Sequence, residues 1–349
     1  FTAMVASAVV IVAYTTMGGF LAASTTDLIQ SIIMTVALIV VVFFGIHVAG
    51  GWDAVMTNAQ ALPGYLSMVQ SYDAASGTAT AYTPITILST LAWGLGYFGM
   101  PHILLRFMAI EDVKKLKTSR RIASIWVVVS MAVAVLIGVV GNGMIHAGAL
   151  EEIPAADSQR IIIKISALLS TYGVLPAIVA GLILSGILAA TMSTADSQLL
   201  AAASSVTQDL LQGTCKIKLS DKVAMIIARV TVIMIAVIGI IWARNEGSVF
   251  TIVSFAWAGF GAAFGPVMLL ALFWKRSNKW GALFGMIAGG AMVFLWKYGV
   301  RPMGGILDIY ELLPAFLVAI VVNVVVSLAT GKPDSSIQQE FEEVAAMKD

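Results

Sequence analysis

The sequence predicts an all-α polytopic membrane protein, and three observations predict it. Hydrophobic residues fill 59% of the 349 positions against 11% charged, with a mean hydropathy of +0.95. A water-soluble domain of that size would carry a larger charged shell. Apolar runs of about 20 residues, enough to cross the ~30 Å hydrocarbon layer as a helix, recur along the whole chain. Lys and Arg gather in short segments between those runs, as the positive-inside rule expects of a chain threaded repeatedly through a bilayer. The net charge of +1 and the dispersed basic residues give no nucleic-acid footprint, and the single Cys215 offers no intramolecular disulfide.

In order, the runs place spans at about 2–22, 28–49, 84–108, 121–143, 172–194, 222–243, 249–274, 280–297 and 309–330, nine in all. The chain opens at Phe1 inside an apolar run, without an initiator Met, a basic n-region or a small-residue cleavage site. It is therefore expected to lack its amino-terminal part. Segment 50–83 holds no Lys or Arg and is rich in Ala, Gly, Ser, Thr and Tyr, which fits an external lid or a plain connector. Lys114, Lys115, Lys117, Arg120 and Arg121 mark the next loop as cytoplasmic; so do Lys216, Lys218 and Lys222, and Lys275, Arg276 and Lys279. Segment 144–170 opens with Glu151, Glu152 and Asp157 and reads as external. Its part 156–170 mixes charges with three successive isoleucines, which fits an interfacial or re-entrant helix as well as a surface loop with a frayed turn. The tail 331–349, rich in Glu, is expected to be a solvated cytoplasmic appendage.

Two stretches carry more than topology. Within the third span, Ala92-Trp93-Gly94-Leu95-Gly96-Tyr97-Phe98-Gly99-Met100-Pro101-His102 packs three glycines and a proline together. In a helix interior Gly costs about 1 kcal/mol and Pro about 3 kcal/mol relative to Ala. In lipid, the backbone groups freed by a break must find partners, and broken helices persist where they line a cavity for substrate or ion. The binding site is expected here. Two other readings bear on these residues. Gly94, Gly96 and Gly99 match G-x-G-x-x-G, but a dinucleotide fingerprint needs a strand before it and a soluble helix after it, which an apolar span excludes. A Pro kink with glycines for close packing, Trp93 and Tyr97 being packing aromatics, stays open.

At the cytoplasmic end of the fifth span, Ser185 to Ser197 includes Ala190, Ser193 and Thr194. Adjacent hydroxyls with a carbonyl one turn earlier are hard oxygen ligands suited to a hard cation. The same hydroxyls also commonly bond the i−4 carbonyl of their own helix, and the residues alone leave both readings standing. His47, His102 and His146 are scattered, and no His or Cys cluster has metal spacing, so no covalent or enzymatic chemistry and no cofactor is expected.

These stretches resemble the sodium/solute symporter family, and within it the sodium/proline symporters. The resemblance rests on Met192-Ser193-Thr194 with Gln198-Leu199-Leu200, and on Ala92 to Gly99 with Pro101-His102-Ile103-Leu104. Tyr14-Thr15-Thr16-Met17-Gly18-Gly19-Phe20-Leu21-Ala22 with Thr26-Asp27, the stretch Ser254 to Pro266, and Trp280-Gly281-Ala282 add to it. It implies a LeuT-type inverted-repeat transporter fold. Residues 1–49 would be the last two helices of the first repeat, 50–83 an external loop, 84–274 the second repeat, 275–330 two peripheral helices and 331–349 the tail. It implies sodium held by the Ala190 carbonyl and the Ser193 and Thr194 hydroxyls, with the other ligands on a core helix missing from this chain. It implies a solute site at Trp93, Tyr97 and Pro101, where a pyrrolidine ring packs on aromatic faces and its cationic nitrogen gains a cation–π attraction. Met100 stands where those proteins carry glutamine, a departure that bears on the solute taken. Asp27 matches a residue that influences ion coupling, or else serves as a helix-start cap.

The expected activity is sodium-coupled symport of L-proline across the inner (plasma) membrane, with sodium ion, a small solute and the lipid bilayer as partners and no nucleic acid. Symport of a sugar, a short-chain acid or pantothenate is the alternative. A transporter-like sensor would need a large cytoplasmic domain after the last span, and a passive channel a polar stripe on several helices.

Overall fold

The computed structural model describes residues 2–243 and 248–346. The link at 244–247 and the end of the tail at 347–349, both inside expected segments, lie outside the described residues. Helices dominate: α1 Thr2–Val48, α2 Trp52–Ala61, α3 Pro84–Ala92, α4 Pro101–Met108, α5 Leu116–His146, α6 Ile161–Ser170, α7 Val174–Ser204, α8 Asp221–Trp242, α9 Val249–Phe273, α10 Lys279–Leu295, α11 Leu312–Ala329 and α12 Ser335–Ala346. A single hairpin, β1 Gln70–Asp73 paired with β2 Thr78–Ala81, interrupts them among the described residues.

Seven helical stretches of the described residues are long and apolar enough to cross a membrane. The other two of the nine expected spans differ for identifiable reasons. Stretch 2–22 is not a separate span, because α1 runs unbroken from Thr2 to Val48. Residues 23–27, Ala-Ser-Thr-Thr-Asp, hold neither Gly nor Pro, and the Thr26 hydroxyl donates back to the Ala23 carbonyl at 2.9 Å, so nothing there stops the helix. Stretch 84–108 is divided into α3 and α4 by a 3₁₀ turn over Trp93–Gly99. The fifth span also outruns its expected end at 194. With no Gly or Pro between Ala195 and Gln212, α7 continues to Ser204 and passes into a wider π-type turn, Ser205–Thr214.

The described residues pack as two compact units. One lies within Phe1–Thr80 and Ile110–Glu246. Its core is Val41 on α1, Val55 on α2, Val140 and Met144 on α5, Ile165 on α6 and Ile183 on α7, all withdrawn from solvent. Within 156–170, a 3₁₀ turn ending at Arg160 leads into α6, whose Ile165, Ser166 and Leu169 are buried. The 50–83 segment anchors through Val55 against Gly143 and through a 2.7 Å hydrogen bond from the Asn58 amide to Asn142. Outside the spans, burial raises the Tyr65 phenol, while the Ser76 hydroxyl and the Ala75 N–H hold the hairpin's Asp73 carboxyl below the usual carboxylate range.

The other unit lies within Ala81–Ala109 and Gly247–Asp349. Gly281, Gly285 and Gly289, one turn apart on α10, let α11 approach closely. A Cβ on Gly285 would lie 2.9 Å from the Asn323 Cβ, and one on Gly289 3.0 Å from the Ala319 Cβ. Without water to drive helices together, such small-residue rows are how membrane helices gain dispersion contacts. Asn278 fastens the same pair: its Oδ1 accepts from the Gly281 N–H at 2.9 Å, and its amide donates to Thr330 Oγ1 and the Gly331 carbonyl at 2.8 Å.

Candidate functional site

The break expected between Ala92 and Pro101 is built from the residues that predicted it. Thr83 caps α3 by accepting from the Thr86 N–H, Pro84 opens that helix, and the backbone then tightens into the 3₁₀ turn from Trp93 to Gly99. Met100 is extended (φ −83°, ψ 110°), the conformation a following proline imposes. Pro101 starts α4 at its first position, where a missing N–H costs nothing.

Helix α9 supplies what the broken segment needs. The Trp257 indole N–H donates to the Trp93 carbonyl at 3.0 Å, satisfying a backbone oxygen where the α-helical ladder stops. Gly96 is required by that ring, since a Cβ there would fall inside the Trp257 indole. The backbones then meet almost directly. A Cβ on Gly261 would lie 2.7 Å from the Gly96 Cα, and one on Gly99 would lie 2.8 Å from the Gly265 N. A bent helix with glycines for close packing is therefore present, and it coincides with the expected site.

Trp93 stacks on Phe250 at 5.4 Å and 12°, and on Trp257 at 5.5 Å and 15°. Phe250 and Trp257 are seven residues apart on α9, about 10.5 Å along its axis, so the two rings bracket the indole. Tyr310 stacks on it as well, at 6.1 Å and 18°. Tyr97 meets Trp257 edge-on at 4.8 Å and remains 50% exposed. In this conformation the faces of Trp93 are covered by the protein's own aromatics, and Tyr97 is the open one of the two.

The second expected cluster lies on one turn of α7. Ser193 Oγ donates to the Ala190 carbonyl at 3.1 Å and Thr194 Oγ1 to the same oxygen at 3.4 Å. Three neutral oxygens thus converge, an arrangement that fits a hard, singly charged cation, while the hydroxyls meanwhile hydrogen-bond their own helix. Among the described residues no group of three or more His, Cys, Asp or Glu could hold a metal ion. Asp27 stands inside the unbroken α1, where no helix starts, so it is not a helix-start cap.

Two functional-looking residues escaped the sequence reading. Asp196, fully buried on α7 just beyond Thr194, accepts from the Tyr14 hydroxyl of α1 at 2.9 Å and from Ser197 at 3.2 Å. It would have surfaced had α7 been carried past 194, since an acidic residue inside a span needs partners. Trp257 lies in the stretch Ser254 to Pro266 that carries the family resemblance, but its own role gave no signal, because indole is ordinary in an apolar helix.

The sequence profile of the Sodium:solute symporter family matches residues 1–289. The chain is 40% identical over 334 residues to the osmoregulated proline transporter OpuE of Bacillus subtilis (strain 168), covering 95% of this chain and 64% of that protein. It is 40% identical over 338 residues to the high-affinity proline transporter PutP of the same organism, covering 95% and 66%. The sodium/proline symporter of Haemophilus influenzae (strain ATCC 51907 / DSM 11121 / KW20 / Rd) is 39% identical over 346 residues, covering 98% and 66%. The chain therefore spans about two thirds of the length of the curated relatives it matches. A solved Na+-coupled sialic acid symporter, in a substrate-bound outward-open state, superposes with a TM-score of 0.70 over 95% of this chain and 67% of that one at 19% identity, which establishes a shared fold. With the profile covering most of the chain and relatives at 40% identity, the chain belongs to the sodium:solute symporter family.

Proposed function

We propose that this chain serves in sodium-coupled symport of L-proline by alternating access. The observation that carries the proposal is the break between α3 Pro84–Ala92 and α4 Pro101–Met108, whose 3₁₀ turn presents backbone and aromatic groups within an apolar stretch. Relatives at 39–40% identity named as proline transporters support proline as the solute. In this reading Tyr97 offers its exposed ring and hydroxyl, Pro101 fixes the start of α4, and the pyrrolidine takes the place of one stacking partner of Trp93. The cationic nitrogen then gains a cation–π attraction on the indole face.

Sodium is the coupling ion, taken at the Ala190 carbonyl and the Ser193 and Thr194 hydroxyls, which turn from their helix to the ion. It drives transport only by binding one conformation more tightly than the other. One charge moving through 100 mV supplies about 2.3 kcal/mol, roughly a fiftyfold accumulation before any concentration gradient is added.

The test is uptake of labelled proline by the full-length protein in proteoliposomes, with and without an inward sodium gradient. It is repeated after the double change Ser193→Ala and Thr194→Ala and after Trp93→Ala. Sodium-dependent uptake lost in these variants is the expected result. Uptake indifferent to sodium would sink symport, and uptake of another solute in preference to proline would move the specificity.

A further inference from the structure

We propose that Glu311 is a positioning residue for the aromatic wall at the broken helix: clamped by Arg301 and Lys297, it fixes Tyr310 against Trp93. The proposal deepens the solute-site reading above, and its consequence for transport rests on that reading.

Glu311 immediately precedes α11 and is 1% exposed. Arg301 Nη1 donates to its Oε2 at 2.8 Å, and Lys297 Nζ lies 3.8 Å from its Oε1. Neither cation is held by Glu311 alone. Arg301 Nε donates to Asp308 at 2.9 Å, and the Lys297 ammonium sits 3.8 Å from the centroid of the Phe255 ring on α9. Both belong to the side that the loop charges assign to the exterior, where basic residues run against the positive-inside rule, and both are matched by carboxylates. A buried carboxylate persists only when paired, and pairing alone seldom stabilises more than a well-packed apolar residue would. What the charge holds in place is therefore the question.

It holds Tyr310. The ring of Tyr310 stacks on Trp93, its hydroxyl donates to the Ser254 carbonyl of α9 at 2.6 Å, and its backbone N–H donates to the Ser89 hydroxyl of α3 at 3.0 Å. One residue thus touches the helix before the break, the first residue of the break and the helix that supports it. The Tyr310-Glu311 dipeptide is joined to the turn Trp296–Met303 through the Glu311 carboxylate, with the Trp296 indole donating to the Ile309 carbonyl at 3.2 Å as a second tie. Removing the negative charge leaves Arg301 to Asp308 and Lys297 to the Phe255 ring. The carboxylate tie between the turn and the Tyr310-Glu311 dipeptide is lost, and Tyr310 loosens against the indole.

The test is a double-mutant cycle of Glu311→Gln and Tyr310→Ala in the full-length protein, with Glu311→Asp as the charge-preserving variant. The first readout is near-ultraviolet circular dichroism, which reports the parallel stack of Trp93, Phe250, Trp257 and Tyr310 without any solute. Glu311→Gln is expected to reduce that band as far as Tyr310→Ala does, the double variant to reduce it no further, and Glu311→Asp to recover part of it. The second readout is the KM for proline, expected to rise roughly fivefold to tenfold, the equivalent of one aromatic stacking contact, with Vmax per inserted molecule unchanged. If Glu311→Gln fails to accumulate in the membrane, Lys297→Gln weakens the clamp from its longer side and runs through the same cycle. An unchanged band, or effects that add across the cycle, overturns the positioning role. A reduced band with KM unmoved both there and in Trp93→Ala leaves the positioning standing and overturns the solute site instead.

Discussion

Gly96→Ala tests whether the break is held by α9 or merely tolerated by it. The added methyl falls inside the Trp257 ring, so the indole must leave, and with it goes the hydrogen bond to the Trp93 carbonyl. Overpacking of this kind costs about 1–3 kcal/mol and the lost hydrogen bond about 1 kcal/mol, together about 2–4 kcal/mol. Because each 1.4 kcal/mol is a factor of ten, the native arrangement of the broken segment should lose roughly 30- to 700-fold in population. The assay pairs sodium-driven proline uptake with thermal unfolding of the purified full-length protein, for Gly96→Ala, Trp257→Ala and their combination. Trp257→Ala makes room for the methyl, so the double variant should be less damaged than the two single effects sum to. Wild-type uptake in Gly96→Ala, or strict additivity in the double variant, would refute the argument that the ring and the glycine require each other.

Three further outcomes follow from the packing. Ser193→Ala with Thr194→Ala should raise the sodium concentration for half-maximal uptake while thermal stability stays within about 1 kcal/mol, because these hydroxyls bond only their own helix's Ala190 carbonyl; a large loss of stability would count against an ion role. Asn58→Ala leaves the half-buried Asn142 Oδ1 without its donor and should destabilise by about 1 kcal/mol, measured by thermal unfolding. Asp73 has a folded pKa below its unfolded value of about 3.9, so its support for the β1–β2 hairpin is present above that value and is lost as pH falls through the lowered one. The protection factors of the hairpin amides, taken relative to the intrinsic exchange rate at each pH, should therefore fall on acidification, and Ser76→Ala should move the midpoint to higher pH.

The break at Trp93–Gly99 was legible because Gly and Pro act through the backbone, and the cost of placing them in a helix does not depend on what surrounds them. The convergence of Ala190, Ser193 and Thr194 was legible for a similar reason, since i and i+3 or i+4 share a helix face whatever the tertiary fold. What supports these groups was not. Trp257 and Gly96 are 161 positions apart in sequence, and nothing local says that an indole N–H will meet a freed carbonyl. Asp196 and Glu311 were missed because each stands beside an expected span end, where a carboxylate is ordinary, and only tertiary packing shows both to be buried. The joining of 2–22 to 28–49 shows the opposite error: a polar stretch without Gly or Pro interrupts hydropathy without interrupting a helix.

The unit that contains the broken helix is discontinuous in sequence, with Ala81–Ala109 completed only by residues after Gly247. During synthesis roughly 140 residues separate the two parts, which at ~5–20 residues per second leaves the segment waiting on the order of ten to thirty seconds for its partner helix. Throughout that interval Gly96 and Gly99 have no α9 to lean on, and the Trp93 carbonyl has no indole. The segment left unsupported for that interval is then the one on which the proposed solute site rests, and defects in α9 should show first as premature loss of the nascent chain.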